Sequence, residues 1–109
     1  MLPDFLLRLQ ALAELDISFN TITALWDELG FLSRLERLYV AGNRIALLPA
    51  SLTTLADLQV LDASANILTI LPPDIGACKA LTKLDLSKNR IAELPFSIAQ
   101  LPNLQVSVP

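Results

Sequence analysis

The sequence predicts an α/β fold: a curved solenoid with a parallel β-sheet on its concave side and short helices or 3-10 turns on its convex side. The first observation is a repeated segment, since residues 81–91 read L-x-x-L-x-L-x-x-N-x-I and the same skeleton occurs three more times, at residues 12–22, 35–45 and 58–68. The second is a constant spacing of 23 residues between the asparagines of these segments, Asn20, Asn43, Asn66 and Asn89. The third is a leucine-proline pair that follows three of the asparagines, at residues 48–49, 71–72 and 94–95. A fixed period of this length, without insertions, indicates a solenoid of stacked coils.

Each repeat is expected to begin with a short β-strand. In the first repeat, Leu15 and Ile17 lie on either side of Asp16, which is the period of two that a strand with one buried face requires. The equivalent inward positions of the later repeats are also apolar: Leu38 and Val40, Leu61 and Ala63, Leu84 and Leu86.

The four repeated asparagines are expected to be structural. A buried amide that makes no hydrogen bond is costly, so these side chains need polar partners inside an apolar stack. Backbone groups left free where the chain turns out of the strand can supply them, from one coil to the next. We therefore expect an asparagine ladder along the solenoid rather than catalytic asparagines.

The segment after each asparagine is expected to form the convex arc. Pro49, Pro72 and Pro95, with Trp26 as the variant, suit the start of a short helical turn because proline has a fixed φ and no amide hydrogen. Inward positions of the arc repeat as well: Leu29, Leu52, Ile75 and Ile98, then Leu32, Leu55, Cys78 and Leu101. Phe31 and Phe96 are expected to pack against neighbouring arcs.

The chain of 109 residues is expected to form one repeat domain. It divides into a partial coil at 1–11, full coils that start near residues 12, 35, 58 and 81, and a partial coil at 104–109, with no caps. The fifth strand is expected to fail, because Ser107 falls where leucine belongs and Pro109 cannot donate to a sheet. Open ends that expose Leu6, Leu9, Leu101 and Leu104 predict self-association.

Composition excludes several classes of partner. Hydrophobic residues make up 53% of the chain, but they come two or three at a time, far below the roughly 18 consecutive residues of a membrane span. A net charge of −3 argues against nucleic acid and anionic membrane as main partners. A single cysteine, no N-x-[ST] sequon and no visible signal peptide predict a cytoplasmic protein.

Residues for catalysis are missing from the sequence. It has no histidine, so neither a Ser-His-Asp arrangement nor a histidine metal site is available. Cys78 lies at an inward position, which favours a buried structural thiol. Asp62 and Asp85 share a column and could form paired carboxylates or a cation site, but exposed aspartates on a strand explain them better. We expect no enzyme activity, no cofactor and no metal.

Outward residues of the strands and turns are the candidates for recognition. Tyr39 replaces aspartate in its column, and Phe19 stands where the other repeats have Gly42, Ala65 and Lys88. Tyrosine and arginine are enriched among interface hot spots. The alternative is a solvated face on which Glu14 and Arg37 pair for little net energy. The predicted protein-binding residues are Glu14, Asp16, Ser18, Phe19, Arg37, Tyr39, Arg44, Asp62, Ser64, Lys83, Asp85, Lys88 and Arg90.

The repeats resemble those of leucine-rich repeat proteins over essentially the whole chain. Residues 68–78, L-x-x-L-P-x-x-I-x-x-C, resemble the 23-residue Ras-group intracellular class, which includes Ras-pathway scaffolds and the Scribble and Erbin polarity proteins. The resemblance implies a concave sheet that binds proteins, with a small GTPase or another signalling protein as candidate partner. It leaves two functions open: a signalling scaffold, or the recognition arm of a larger kinase, phosphatase or ubiquitin ligase.

Overall fold

Five short parallel strands form the concave side of the protein. A computed structural model describes residues 9–108, so the predictions for residues 1–8, including Leu6, and for Pro109 lie outside the described residues. The strands form one sheet in the order of the sequence. They are β1 (Glu14–Asp16), β2 (Arg37–Tyr39), β3 (Val60–Asp62), β4 (Lys83–Asp85) and β5 (Gln105–Ser107).

Short 3-10 helices form the convex side, as the proline positions predict. Each of the four arcs starts at Trp26, Pro49, Pro72 or Pro95, whose carbonyl oxygen accepts a hydrogen bond from the backbone N–H three residues later at 3.0–3.1 Å. The predicted α/β solenoid with a parallel concave sheet and short 3-10 turns is confirmed. The 3-10 helices are Leu9–Ala11, Asp27–Phe31, Ala50–Thr54, Ile75–Ala77 and Phe96–Gln100. Within residues 9–108, no helix is long and apolar enough to cross a bilayer.

A single apolar core fills the space between the sheet and the arcs. The central strand residues Leu38, Leu61 and Leu84 are fully buried, and Leu52 and Ile75 meet them from the convex side. Because every coil contributes side chains at the same positions, each coil buries its leucines against its neighbours. The outward strand positions are left free for other molecules.

The turn after each of the first four strands contains one residue in the left-handed backbone region. These residues are Phe19 (φ 58°), Gly42 (φ 68°), Ala65 (φ 53°) and Lys88 (φ 57°). Positive φ favours glycine and is costly for other residues, most of all for bulky ones. The repeat therefore imposes this conformation on whatever residue stands at the position.

The asparagines connect each coil to the coil before it. The Nδ2 group of Asn43 donates to the carbonyl oxygens of Val40 (3.0 Å) in its own coil and Ile17 (3.1 Å) in the preceding coil. Its Oδ1 accepts from the backbone N–H groups of Asn20 and Ile22, both at 3.1 Å. Asn43 and Asn66 are buried, Asn89 is half-buried and Asn20 is exposed.

The expected failure of the fifth strand is wrong. Residues 105–107 pair with β4 in a register that places Val106, rather than Ser107, opposite Leu84. The fifth coil is therefore one residue shorter between Leu104 and its strand than the coils before it. This shift turns Val106 toward the core and Ser107 outward, and it removes the need for Pro109 to complete the strand.

Exposure at the last coil differs from the prediction in three places. Leu101 is buried, because it packs into the core beneath β5, whereas Leu104 and, at the other end of the sheet, Leu9 are half-buried. Leu94, expected to face inward like the leucines of the other two leucine-proline pairs, is 37% exposed. Phe96 is 99% exposed, so the expected packing of this ring against a neighbouring arc is wrong.

Candidate protein-binding surface

The sheet arranges the outward strand residues in two rows. The first row runs through Glu14, Arg37, Val60 and Lys83, and the second through Asp16, Tyr39, Asp62 and Asp85, each residue in register with the next. Neighbouring strands lie about 4.8 Å apart, so adjacent members of a row are in reach of one another and of a single partner. The seven polar strand residues predicted for recognition thus share one face.

The first row contains an ion pair. Nε of Arg37 lies 2.8 Å from Oε1 of Glu14 on the neighbouring strand, and Nη1 lies 3.4 Å from Oε1 of Glu36. The hydrogen bond with Glu14 is the main reason why the pKa of Arg37 is raised. Exposed pairs of this kind contribute little to stability, so their effect here is to hold the guanidinium in one orientation.

The aspartates of the second row bond to the turns that follow them. Oδ1 of Asp62 accepts from the backbone N–H (3.1 Å) and the hydroxyl (2.7 Å) of Ser64, and Asp85 makes the same pair of bonds with Ser87 at 3.0 and 2.7 Å. Oδ1 of Asp16 accepts from the backbone N–H of Ser18 at 3.0 Å. Hydrogen bonds from Ser18, the backbone bond first, lower the pKa of Asp16.

These bonds give the aspartate column a structural role. Asp62 and Asp85 are in register. Within residues 9–108, no three histidine, cysteine or acidic side chains are grouped so that they could hold a metal ion. Each carboxylate instead fixes the start of its own turn, in the manner of an Asx-turn.

Four further predicted residues lie at the ends of the strands. Ser18 and Ser64 follow Asp16 and Asp62 by two residues, and Phe19 and Lys88 occupy the left-handed turn position. Phe19 is the largest exposed side chain of this set, at 81% exposure. These residues extend the surface from the strands to one rim of the sheet.

Arg44 and Arg90 do not lie on the strands. Each follows an asparagine, five residues beyond its strand, and its backbone N–H donates to the preceding coil, to Ile22 and Leu68 respectively, at 2.8 Å. Their side chains are exposed on the flank where the coil leaves the sheet. A partner confined to the concave face would meet them only at its margin.

An apolar flank was missed by the sequence analysis. Leu47 and Ile70 stand at the same position of successive coils and are 57% and 56% exposed. They line two shallow grooves, of about 170 and 220 Å³, that share Leu71 and Pro73. The signal was present in the sequence, because a large aliphatic residue stands four places after Asn43 and Asn66 where the other repeats have Ala24 and Glu93.

Cys78 lies inside the core. Its thiol is buried and faces the carbonyl oxygen of Leu52 at 3.6 Å. Burial raises the pKa of Cys78 to about 11. A nucleophilic cysteine needs a depressed pKa and access to substrate, and this thiol has the opposite properties.

Comparisons with known proteins agree with this architecture. A family described as Leucine Rich Repeat matches residues 80–101, which include β4 and the following turn and arc. A solved leucine-rich repeat protein of Leptospira interrogans superposes on the whole chain with a TM-score of 0.75 and 29% identity. The chain has the leucine-rich repeat fold.

Two further similarities concern longer proteins. The functional domain of InlJ from Listeria monocytogenes, a structure described as including a cysteine ladder, is similar to 84% of this chain, with a TM-score of 0.71 and 34% identity. An adenylate cyclase of Podospora anserina is 46% identical over 44 residues, or 40% of the chain. The chain spans 35% of the Leptospira structure, 19% of the Listeria structure and 2% of the cyclase.

Proposed function

We propose that this leucine-rich repeat solenoid is a protein-interaction module that binds a protein partner on its concave sheet. The observation that carries the proposal is the two rows of outward strand residues, in which acidic, basic and aromatic side chains are combined on a regular sheet. Their backbones are fixed by the sheet and the asparagine ladder, so a partner meets a preorganised face and little ordering entropy is lost on binding.

The chemistry of the surface favours a polar protein partner. Arg37 and Tyr39 are half-buried on β2, between β1 and β3, and remain accessible to a partner. Arginine and tyrosine are the side chains that most often carry binding energy at interfaces. The mixed charge around them does not suit a nucleic acid, which requires a basic surface.

The more specific parts of this function are proposals that rest on the resemblance of the repeats to the Ras-group intracellular class. We propose the 23-residue Ras-group type, a cytoplasmic location and a scaffold role in signal transduction, with a small GTPase as the candidate partner. A tagged chain that is found outside the cytoplasm, or that captures no signalling protein there, would argue against this part of the proposal.

A second candidate function is the recognition arm of a larger enzyme. The similarity of 44 residues to an adenylate cyclase favours it, because those residues make up only 2% of that protein. In this case the solenoid would select the enzyme's partner and another domain would perform the chemistry. A transcript that joins this solenoid to a catalytic domain in one reading frame would decide for this function.

Photo-crosslinking tests the concave assignment. A benzoylphenylalanine is placed at Tyr39 on the sheet, and at Phe96, which is exposed on the convex side, as the matched control. Crosslinks to one other protein from Tyr39, and none to that same protein from Phe96, would support the proposal. Crosslinks to that same protein from Phe96 alone would move the binding site to the convex side.

A further inference from the structure

The ring of Phe19 is exposed at the rim of the sheet. Phe19 has a φ of 58°, a left-handed conformation that is unfavourable for an aromatic residue, and its ring is 81% exposed. The ring lies across Gly42 of the next coil: a Cβ atom at Gly42 would overlap Cδ1 of the ring and lie 2.7 Å from Cε1. The ring of Phe19 can occupy this position because Gly42 has no side chain.

A carboxylate and a second aromatic residue lie on the two strands that lead into this turn and into the turn of the next coil. Asp16 precedes Phe19 by three residues and is in register with Tyr39 on the neighbouring strand. Oδ1 of Asp16 accepts from Ser18, and Oδ2 has no hydrogen-bond donor among residues 9–108. Among residues 9–108, no lysine or arginine forms an ion pair with Asp16, and Arg37 on the neighbouring strand pairs with Glu14 and Glu36.

This combination has a defined binding preference. The faces of aromatic rings attract cations, and a neighbouring carboxylate adds a charge-assisted hydrogen bond. A guanidinium group fits best, because it is planar, stacks on aromatic faces and donates to carboxylate in a fixed geometry. We propose that Asp16, Phe19 and Tyr39 form a subsite for an arginine side chain of the protein partner, an inference that rests on the proposed function and specifies part of its surface.

The later coils lack the features of this subsite. The residues equivalent to Phe19 are Ala65 and Lys88 in the third and fourth coils, which offer no ring and, at Lys88, a like charge. Asp62 and Asp85 accept their serine bonds on Oδ1, as Asp16 does, so the coils differ in the residue of the turn and not in the carboxylate. An arginine should therefore select the first coil over these two, although all three coils present an aspartate in the same row.

Nuclear magnetic resonance titration of the whole chain tests the proposal. The probe is the peptide acetyl-Gly-Arg-Gly-amide, and the matched probe carries citrulline, which has the shape of arginine without its charge. We expect amide shifts at residues 16–19 and 39–42 with the arginine peptide. The initial slope of those shifts should fall about two- to fivefold with the citrulline peptide and in the Phe19→Leu variant.

Control variants separate the subsite from general effects of charge and hydrophobicity. Asp16→Asn should weaken the response as Phe19→Leu does, whereas Asp57→Asn, an equal charge change in an exposed turn, should not. Phe96→Leu controls for loss of an exposed ring. Gly42→Ala should also weaken the response, because its Cβ displaces the ring of Phe19.

The outcomes are distinguishable. Equal slopes for the two peptides, or shifts centred on Asp62 and Asp85, would overturn the arginine subsite. If the subsite fails in this way while Tyr39 still crosslinks to a partner, the concave surface keeps its proposed function and loses only the assigned arginine. If no partner crosslinks from Tyr39 but the arginine peptide still binds at Asp16 and Phe19, the subsite stands as a cation site and the proposed function fails.

Discussion

Asn66 and Val40 connect two successive coils: Nδ2 of Asn66 donates to the carbonyl oxygen of Val40, 26 residues earlier, at 3.0 Å. In the same way, Asn43 reaches Ile17 at 3.1 Å and Asn89 reaches Ala63 at 2.8 Å. The side-chain bonds of Asn20 stay within its own coil, to the carbonyl oxygens of Ile17 and Ser18. The side chains of Asn43, Asn66 and Asn89 therefore connect two coils, whereas the side chain of Asn20 stabilises only its own turn.

Loss of an asparagine between coils should destabilise the whole solenoid. We expect Asn43→Ala and Asn66→Ala each to lower the free energy of unfolding by roughly 1–3 kcal/mol, because buried backbone groups lose their partners. Asn20→Ala should cost clearly less, since Asn20 is exposed. Urea unfolding followed by circular dichroism measures all three. Equal losses in the three variants would contradict the role assigned to the bonds between coils.

The fold could be predicted because several residue columns each specify the same geometry. Leucines at fixed spacing determine which side faces inward, and the prolines mark where each arc begins. The fifth strand could not be predicted, because the fixed period places Ser107 at the inward position. Pairing with β4 shifts that segment by one residue and buries part of Val106 instead. A strand at the edge of a sheet takes the register that buries the most apolar surface. The 23-residue period does not specify that register.

Relief of backbone strain at Phe19 should stabilise the chain. We expect Phe19→Gly to be more stable than Phe19→Ala by roughly 0.5–1 kcal/mol, because glycine tolerates a positive φ and alanine does not. Both variants lose the same largely exposed ring, so the comparison isolates the backbone term. The readout is the midpoint of urea unfolding. An alanine variant that is as stable as the glycine variant would show that the turn is not strained.

Cys78 should make the folded state sensitive to alkaline pH. Burial raises its pKa from 9.0 to about 11, so the folded chain keeps the thiol proton that the unfolded chain releases. The contribution to stability is complete below pH 9 and is lost as the pH rises toward 11. Unfolding measured at several pH values should show this decrease in the parent chain and a smaller one in Cys78→Ala. Identical pH profiles for the two chains would contradict it.

Self-association remains a prediction, and the structure changes the residues on which it rests. Leu101 is buried, whereas Leu94, Phe96 and Val108 near the last strand are exposed. These side chains and the edge of β5 offer an apolar contact to a second copy. Sedimentation velocity should show a concentration-dependent dimer that Phe96→Ser and Val108→Ser together weaken. A monomer at every concentration would contradict the prediction.

The candidate site was only partly predictable from the sequence. Alternation along the strands places Glu14, Arg37 and Tyr39 on the outward face, because a strand has a period of two. The position of the Phe19 ring over Gly42 depends on a left-handed turn and a specific side-chain direction, which no pattern of residue types specifies. Arg44 was assigned to the concave face because it follows the strand closely, yet the chain has already turned onto the flank there.

The most direct test of the concave surface uses the Arg37→Ala/Tyr39→Ala double variant. The measurement is its affinity for the partner that photo-crosslinking from Tyr39 identifies. Both residues lie on β2, between β1 and β3, and neither is part of the core. We expect the affinity to fall about tenfold or more, as for loss of interface hot spots. The free energy of unfolding should stay within about 1 kcal/mol of the parent, because the exposed pair with Glu14 adds little stability. Unchanged capture by a folded double variant would contradict a binding site on the concave sheet.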